Sequence, residues 1–173
     1  FRVGNIVAVP EQRKGGSEKG GGNAVVIGVP REILENERRV AALPETVKEY
    51  LAKGFRVLVE ASAGQGTLRS DEEYRIAGAE VVGDKKDLFA RSDIILKVKQ
   101  PMYDEKAGMD EVEMMREGTM LVAFLHPAAP PNHDMVRKLA ERNITAFTMD
   151  GIPRVSRAQM MDALTSMSTV TGY

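Results

Sequence analysis

Six polar side chains stand where the chain leaves runs of apolar residues: Arg39, Lys99, His126, Arg154, Gln159 and Asp162. Arg39 lies in the polar loop after Ala24–Val29. Lys99 closes Asp93–Lys99, and His126 follows Thr119–Phe124. Arg154, Gln159 and Asp162 come after Thr145–Met149, across a turn that contains Pro153. Their types suit anion binding, proton exchange and orientation of a bound polar group by hydrogen bonds. If the four apolar runs are strands of one parallel sheet, all these positions face its C-terminal edge, where α/β proteins place their ligands. Convergence carries the reading, because each residue alone has an ordinary structural explanation. Arg39 sits in an acidic loop with Glu35 and Glu37 and could be a plain surface arginine. Lys99 could be a solvated strand end, and His126 before Pro127 a histidine bonded to backbone. Gln159 fills the third helical position of a capping box that begins at Ser156. Asp162 falls in the second turn of that helix, near the positive end of its dipole.

The elements that must hold these residues are readable from pattern. Ala24–Val29 is continuously apolar, as expected of a strand buried on both faces. Pro44 suits a first helical position, and Gly54 stops that helix. Phe55–Glu60 is the second strand. Ser70-Asp71-Glu72-Glu73 reads as a capping box that opens a helix ending near Gly78. Further strands are predicted at Glu80–Val82, Asp93–Lys99, Thr119–Phe124 and Thr145–Met149. Helices are predicted at Asp84–Ala90, at Glu111–Arg116 and from a cap at Asn132 to Arg142. Residues 102–110 read as loop. Strands alternating with helices predict an α/β fold: a doubly wound, mostly parallel sheet of about five or six strands with helices on both faces. Residues 1–23 are Gly-rich and charged and read as a flexible arm or linker. Glu11 and Glu18 argue against a clean transit peptide there. The α/β domain is expected over 24–155, and 156–173 as the start of a longer helix.

Composition narrows the chemistry. The chain has 173 residues and a net charge of -1, so it carries no electrostatic footprint for nucleic acid. It has no Cys and two His, which excludes disulfides and a thiolate nucleophile and argues against a metal site. No apolar run approaches the roughly 18 residues of a membrane span, so a soluble piece is expected. Gly64-Gln65-Gly66 is a turn rather than a dinucleotide fingerprint, since no Gly-x-Gly-x-x-Gly occurs anywhere. No pair of catalytic carboxylates and no nucleophilic Ser elbow stands out.

Several segments together resemble the N-terminal domain shared by alanine dehydrogenases and the alpha subunit of proton-translocating NAD(P) transhydrogenase. They are Ile27-Gly28-Val29-Pro30-Arg31-Glu32, Asn36-Glu37-Arg38-Arg39-Val40-Ala41, Gly54-Phe55, Ala61-Ser62-Ala63-Gly64, Ala77-Gly78-Ala79 and Leu96-Lys97-Val98-Lys99-Gln100-Pro101. Pro153-Arg154-Val155-Ser156-Arg157-Ala158-Gln159, Met161-Asp162-Ala163-Leu164 and Gly172-Tyr173 look like the transhydrogenase branch. The resemblance implies that Arg154, Gln159 and Asp162 form a loop at the nicotinamide of NAD(H), with Thr165 in the place of a Ser hydroxyl. It implies hydride transfer to NADP(H) on a partner domain, a homodimer of the NAD-binding component, and coupling to proton translocation through a membrane domain. It places this domain on the cytoplasmic face of a bacterial inner membrane or the matrix face of the mitochondrial one. The nucleotide-binding domain is expected after the helix that starts near Ser156, so the chain alone is expected to bind NAD(H) weakly or not at all. The same resemblance offers an alternative. Arg39, Lys99 and His126 fill the substrate-binding positions of alanine dehydrogenases, which implies an amino-acid dehydrogenase. A nucleotide-sensing or assembly module is the third reading.

Overall fold

The computed structural model describes residues 24–153 and 155–161. Its centre is a six-stranded parallel sheet in the order β3-β2-β1-β4-β7-β8. The strands are β1 (Val26–Val29), β2 (Arg56–Glu60), β3 (Glu80–Val82), β4 (Ile94–Lys99), β7 (Met120–Phe124) and β8 (Thr145–Thr148). The helices are α1 (Pro44–Ala52), α2 (Asp71–Ala77), α3 (Lys85–Arg91), α4 (Glu111–Met114) and α5 (His133–Glu141). The strand order runs outward from β1 in one direction and from β4 in the other. This is the doubly wound arrangement expected from the sequence, and its switch point lies between β1 and β4.

Side-chain alternation divides the interior into two cores. Ile27, Val29, Val57, Val59, Val47 and Tyr74 form one, built from β1, β2, α1 and α2. Leu58, Ile95, Leu121, Ala123, Leu88, Phe89, Val112 and Leu139 form the other, with α3, α4 and α5. Leu58 points opposite to Val57 and Val59, as the pleat requires. The Ser70 capping box is present: its hydroxyl accepts from the Glu73 amide at 3.3 Å and Glu73 accepts from the Ser70 amide at 2.7 Å. The cap sets α2 so that the buried Tyr74 hydroxyl donates to Ala42 O at 2.9 Å, tying α2 to the start of α1.

Gly28 is fixed by contact. A Cβ there would stand 2.2 Å from Ser92 Oγ, a buried atom already donating to Leu88 O. Gly28→Ala is therefore expected to cost about 1–3 kcal/mol through overpacking, read as a lower guanidinium midpoint.

Three expectations change. Residues 102–110 are not a plain loop. They hold an antiparallel hairpin of β5 (Tyr103–Asp104) and β6 (Met109–Asp110), and Asp110 with Glu113 forms a second capping box for α4. Asn132 precedes α5 but makes no side-chain cap. Its amide instead donates to Leu125 O and His126 O at 3.0 and 3.2 Å, where it ties down the turn after β7. Ser156–Met161 forms a 3-10 helix where an α-helix was expected to open. Among the described residues, no helix is long and apolar enough to cross a membrane.

Candidate functional site

A cleft of about 460 Å³ opens beside the switch point, between the loop after β1 and the ends of β4 and β7. Its walls are mostly apolar: Val40, Ala41, Leu43 and Tyr50 on one side, Leu96, Val98, Val122, Phe124 and Met149 on the other. Arg39 contributes its charge to the lining. Size and lining are those of a small-molecule or cofactor site.

Arg39 is held by Glu37. Their side chains make a fork-to-fork pair, with Nη2–Oε2 at 2.5 Å and Nε–Oε1 at 2.7 Å, and the Arg39 amide donates to the same carboxylate at 2.9 Å. Hydrogen bonding from the guanidinium is the main reason that the Glu37 carboxyl sits below its usual range, and the charge of Lys99 adds to it. The loop is buttressed from behind by the turn at residues 63–67. Gly66 comes so close that a Cβ would stand 2.3 Å from Arg38 O. The Gly-x-Gly of this turn serves close backbone approach, in agreement with its reading as a turn.

Lys99 pairs with Phe124 in the β4–β7 ladder, and His126 stacks on the Phe124 ring at a centroid distance of 6.4 Å. His126 has a left-handed backbone, with φ +46°. Such a conformation is strained for a residue other than glycine, and it persists only where neighbours enforce it. Asp150 does so here. One of its oxygens lies 2.8 Å from His126 Nδ1, and the other accepts from the His126 amide at 2.8 Å and the Thr148 hydroxyl at 2.6 Å. The pairing puts the proton of a neutral ring on Nδ1 and leaves Nε2 as an acceptor. Burial disfavours the Asp150 charge, but the Thr148 hydroxyl, the His126 amide and the His126 ring outweigh it and lower its pKa. Folding therefore favours ionised Asp150. Its stabilisation is present above the ordinary carboxylate value of about 3.9 and is lost as pH falls through the lower folded value. Asp150→Asn is expected to flatten that acid limb in urea unfolding followed from about pH 5 down to about pH 2.

A buried lattice of charges adjoins the cleft. Lys97 Nζ lies 3.3 Å from Glu32 Oε2 and 3.1 Å from Glu111 Oε1, and the Lys97 and Glu111 side chains have 0% exposure. Glu111 also meets Lys85 at 3.5 Å and accepts from the Met102 amide at 3.2 Å. Lys85 goes on to Asp104 at 2.8 Å and Glu60 at 3.8 Å. Burial pushes the Glu60 carboxyl up, with the charge of Lys85 opposing it.

The sequence pattern described as alanine dehydrogenase/PNT, N-terminal domain, matches residues 28–171. The chain belongs to this family. The NAD(P) transhydrogenase subunit alpha of Haemophilus influenzae is 44% identical over 149 residues, which are 86% of this chain and 27% of that protein. A crystal structure of a transhydrogenase from Sinorhizobium meliloti superposes with a TM-score of 0.76 at 35% identity, covering 86% of this chain and 42% of that one. An L-alanine dehydrogenase structure gives 0.67 at 32% identity, covering 77% and 34%. The chain therefore spans about a quarter of the Haemophilus protein's length, from 27%, and under half of either solved chain.

In this member of the alanine dehydrogenase/PNT family, Arg39 lines the cleft, and Lys99 and His126 stand beside Phe124 of its wall. Arg154, Asp162 and Thr165 lie outside the described residues. Gln159 is described by its backbone alone, in the 3-10 helix that follows β8 from the same edge. The sequence reading missed Glu32, Lys97, Glu111 and Asp150. Their partners lie far along the chain, 24 residues away for His126 and Asp150, and no local pattern marks such a pair. Among the described residues, no group of three His, Cys, Asp or Glu could hold a metal ion.

Proposed function

We propose that this chain is the N-terminal part of the NAD(H)-binding component of an NAD(P) transhydrogenase, which moves hydride between NAD(H) and NADP(H). The observation that carries the reading is an apolar-walled cleft at the switch point, in a chain 44% identical to a transhydrogenase alpha subunit. The cleft suits a flat ring: Leu96, Val98, Val122 and Phe124 offer it apolar surface. The remainder of the dinucleotide is held by a following domain of the full protein. Bound NAD(H) supplies the hydride. Arg154, Gln159 and Asp162 hold the nicotinamide carboxamide and fix the ring's orientation, which is the main service a protein gives such a transfer. The Thr165 hydroxyl supports the same group. The Asp162 carboxylate is the suitable neighbour for a ring that becomes cationic. No side-chain proton is consumed, so no acid–base residue is required. NADP(H) is held on a partner domain, two NAD-binding components pair as a homodimer, and a membrane domain couples transfer to proton translocation. The domain then faces the cytoplasm or the mitochondrial matrix.

The Asp150-oriented His126 favours a second reading, an alanine dehydrogenase-like amino-acid dehydrogenase with Arg39, Lys99 and His126 on the substrate. The full-length protein decides between them. Hydride exchange between NADH and an NADP analogue is the expected result. NADH oxidation that depends on pyruvate and ammonia, without that exchange, would overturn the first reading in favour of the second.

A further inference from the structure

The parallel ladder between β4 and β7 slips at one place. Leu96 pairs with Val122, but Lys99 pairs with Phe124, so three steps on β4 match two on β7. The extra residue is a bulge, a device that re-aims side chains and leaves backbone groups without strand partners. Here Glu32, from the loop after β1, takes over. Its Oε1 accepts from the Val98 amide at 2.6 Å and its Oε2 from the Lys99 amide at 3.3 Å. Lys97 neutralises the same carboxylate at 3.3 Å, and the Glu32 side chain is only 2% exposed.

We propose that Glu32 is a positioning residue of the cleft: its carboxylate stands in for the missing strand partner at the β4 bulge and thereby sets Val98 as cleft wall and Lys99 as charged rim. A carboxylate suits this task because it offers two acceptors at once and donates nothing. A glutamine of the same shape fails. Whichever way its amide turns, an NH₂ group faces either the Val98 amide or the Lys99 amide and Lys97. The charge of Glu32 is balanced by Lys97, which is balanced in turn by Glu111, so the tether sits in the buried lattice rather than on a mobile surface. Glu32 is not part of the cleft lining, and it acts through Val98 and Lys99.

The inference rests on the proposal that the nicotinamide reacts in this cleft, and its test uses the full-length protein with readouts of both kinds. Amide hydrogen exchange reads the tether without any hydride transfer. The Val98 and Lys99 amides should be protected in the unmodified protein, and exchange as fast as an open loop would overturn the proposal. Glu32→Gln should release them and change the rate at which a small acylating reagent modifies the Lys99 amine. Glu32→Gln should also lower kcat for NADH-to-NADP-analogue exchange by about tenfold to a hundredfold, the scale set by a displacement of about 1 Å. KM should move less. In a Val98→Ala background the same change should do much less, because both variants disturb one wall. A Glu32→Gln protein that is less stable, yet keeps Lys99 acylation and kcat well below its melting temperature, would show a merely structural glutamate. If the variant does not fold, the exchange of the unmodified protein and the kcat of Val98→Ala still decide. Absence of exchange activity in the unmodified protein would defeat the functional reading and leave the amide and acylation results standing.

Discussion

Lys97→Ala is expected to lower the stability of the domain by about 3–5 kcal/mol, the cost of breaking a buried ion pair from one side. Lys97 has 0% side-chain exposure and sits between Glu32 and Glu111, also nearly or wholly buried. Removing the ammonium leaves two carboxylates with less compensation in a place where water cannot solvate them. Glu111 keeps Lys85 at 3.5 Å and the Met102 amide, but among the described residues Glu32 keeps the Val98 and Lys99 amides and no second cation within salt-bridge distance. The loss is a large part of the roughly 5–15 kcal/mol by which ordinary domains are stable. A guanidinium titration checks it, with an unchanged slope showing that the native state rather than the unfolded chain is affected. The companion change gives the sign of the lattice as a whole. Lys97→Met combined with Glu111→Leu removes one ion of each sign and fills the space with apolar atoms. It is expected to cost less than the sum of its two singles, because neither Lys97 nor Glu111 is left to face the other's absence, while Glu32 still loses its cation. A double variant as unstable as the sum of its singles would mean that Lys97 and Glu111 are not coupled.

The lattice also shows where sequence reading stops. Buried strands announce themselves through composition, so β1, β2, β4 and β7 are legible from Val, Ile and Leu alone. The Ser70 capping box is legible because its two partners are three residues apart. Lys97 is a different matter. Periodicity says which face of β4 it occupies but not that Glu111, 14 residues on, and Glu32, 65 residues back, meet it there. A lysine in Leu-Lys-Val-Lys reads as a solvated face, and only tertiary pairing overrides that. The hairpin at 102–110 escaped because strands of two residues have no period. Asn132 was misread through its type. Asparagine caps helices well, but here the carbonyls of Leu125 and His126 compete for its amide and win. For the site, convergence of Arg39, Lys99 and His126 followed from topology alone, since parallel strands bring their C-termini to one edge. What holds each of them did not follow: Glu37 for Arg39, Asp150 for His126, and Glu32 for the strand end that carries Lys99.

The second large effect concerns the segment that leaves β8. In the full-length protein, Gln159→Asn is expected to reduce hydride exchange about a hundredfold. Asparagine keeps the amide but is one methylene shorter, so under the proposed function the group assigned to the nicotinamide carboxamide is withdrawn by more than 1 Å, enough for such a loss. The same residue can be assigned a modest duty, as the third residue of a capping box with Ser156. The two roles separate by measurement. A capping duty alone is worth a few tenths to about 1 kcal/mol of stability and leaves chemistry untouched. A positioning group leaves stability nearly unchanged and lowers kcat and kcat/KM together, because its contact is realised in the transfer geometry and not in ground-state binding. The 3-10 geometry of Ser156–Met161 weakens the capping duty, since the box is built for an α-helical first turn. Exchange that continues at the unmodified rate in a less stable Gln159→Asn protein would reduce Gln159 to a helix cap. The burden of orienting the ring would then fall on Arg154 and Asp162.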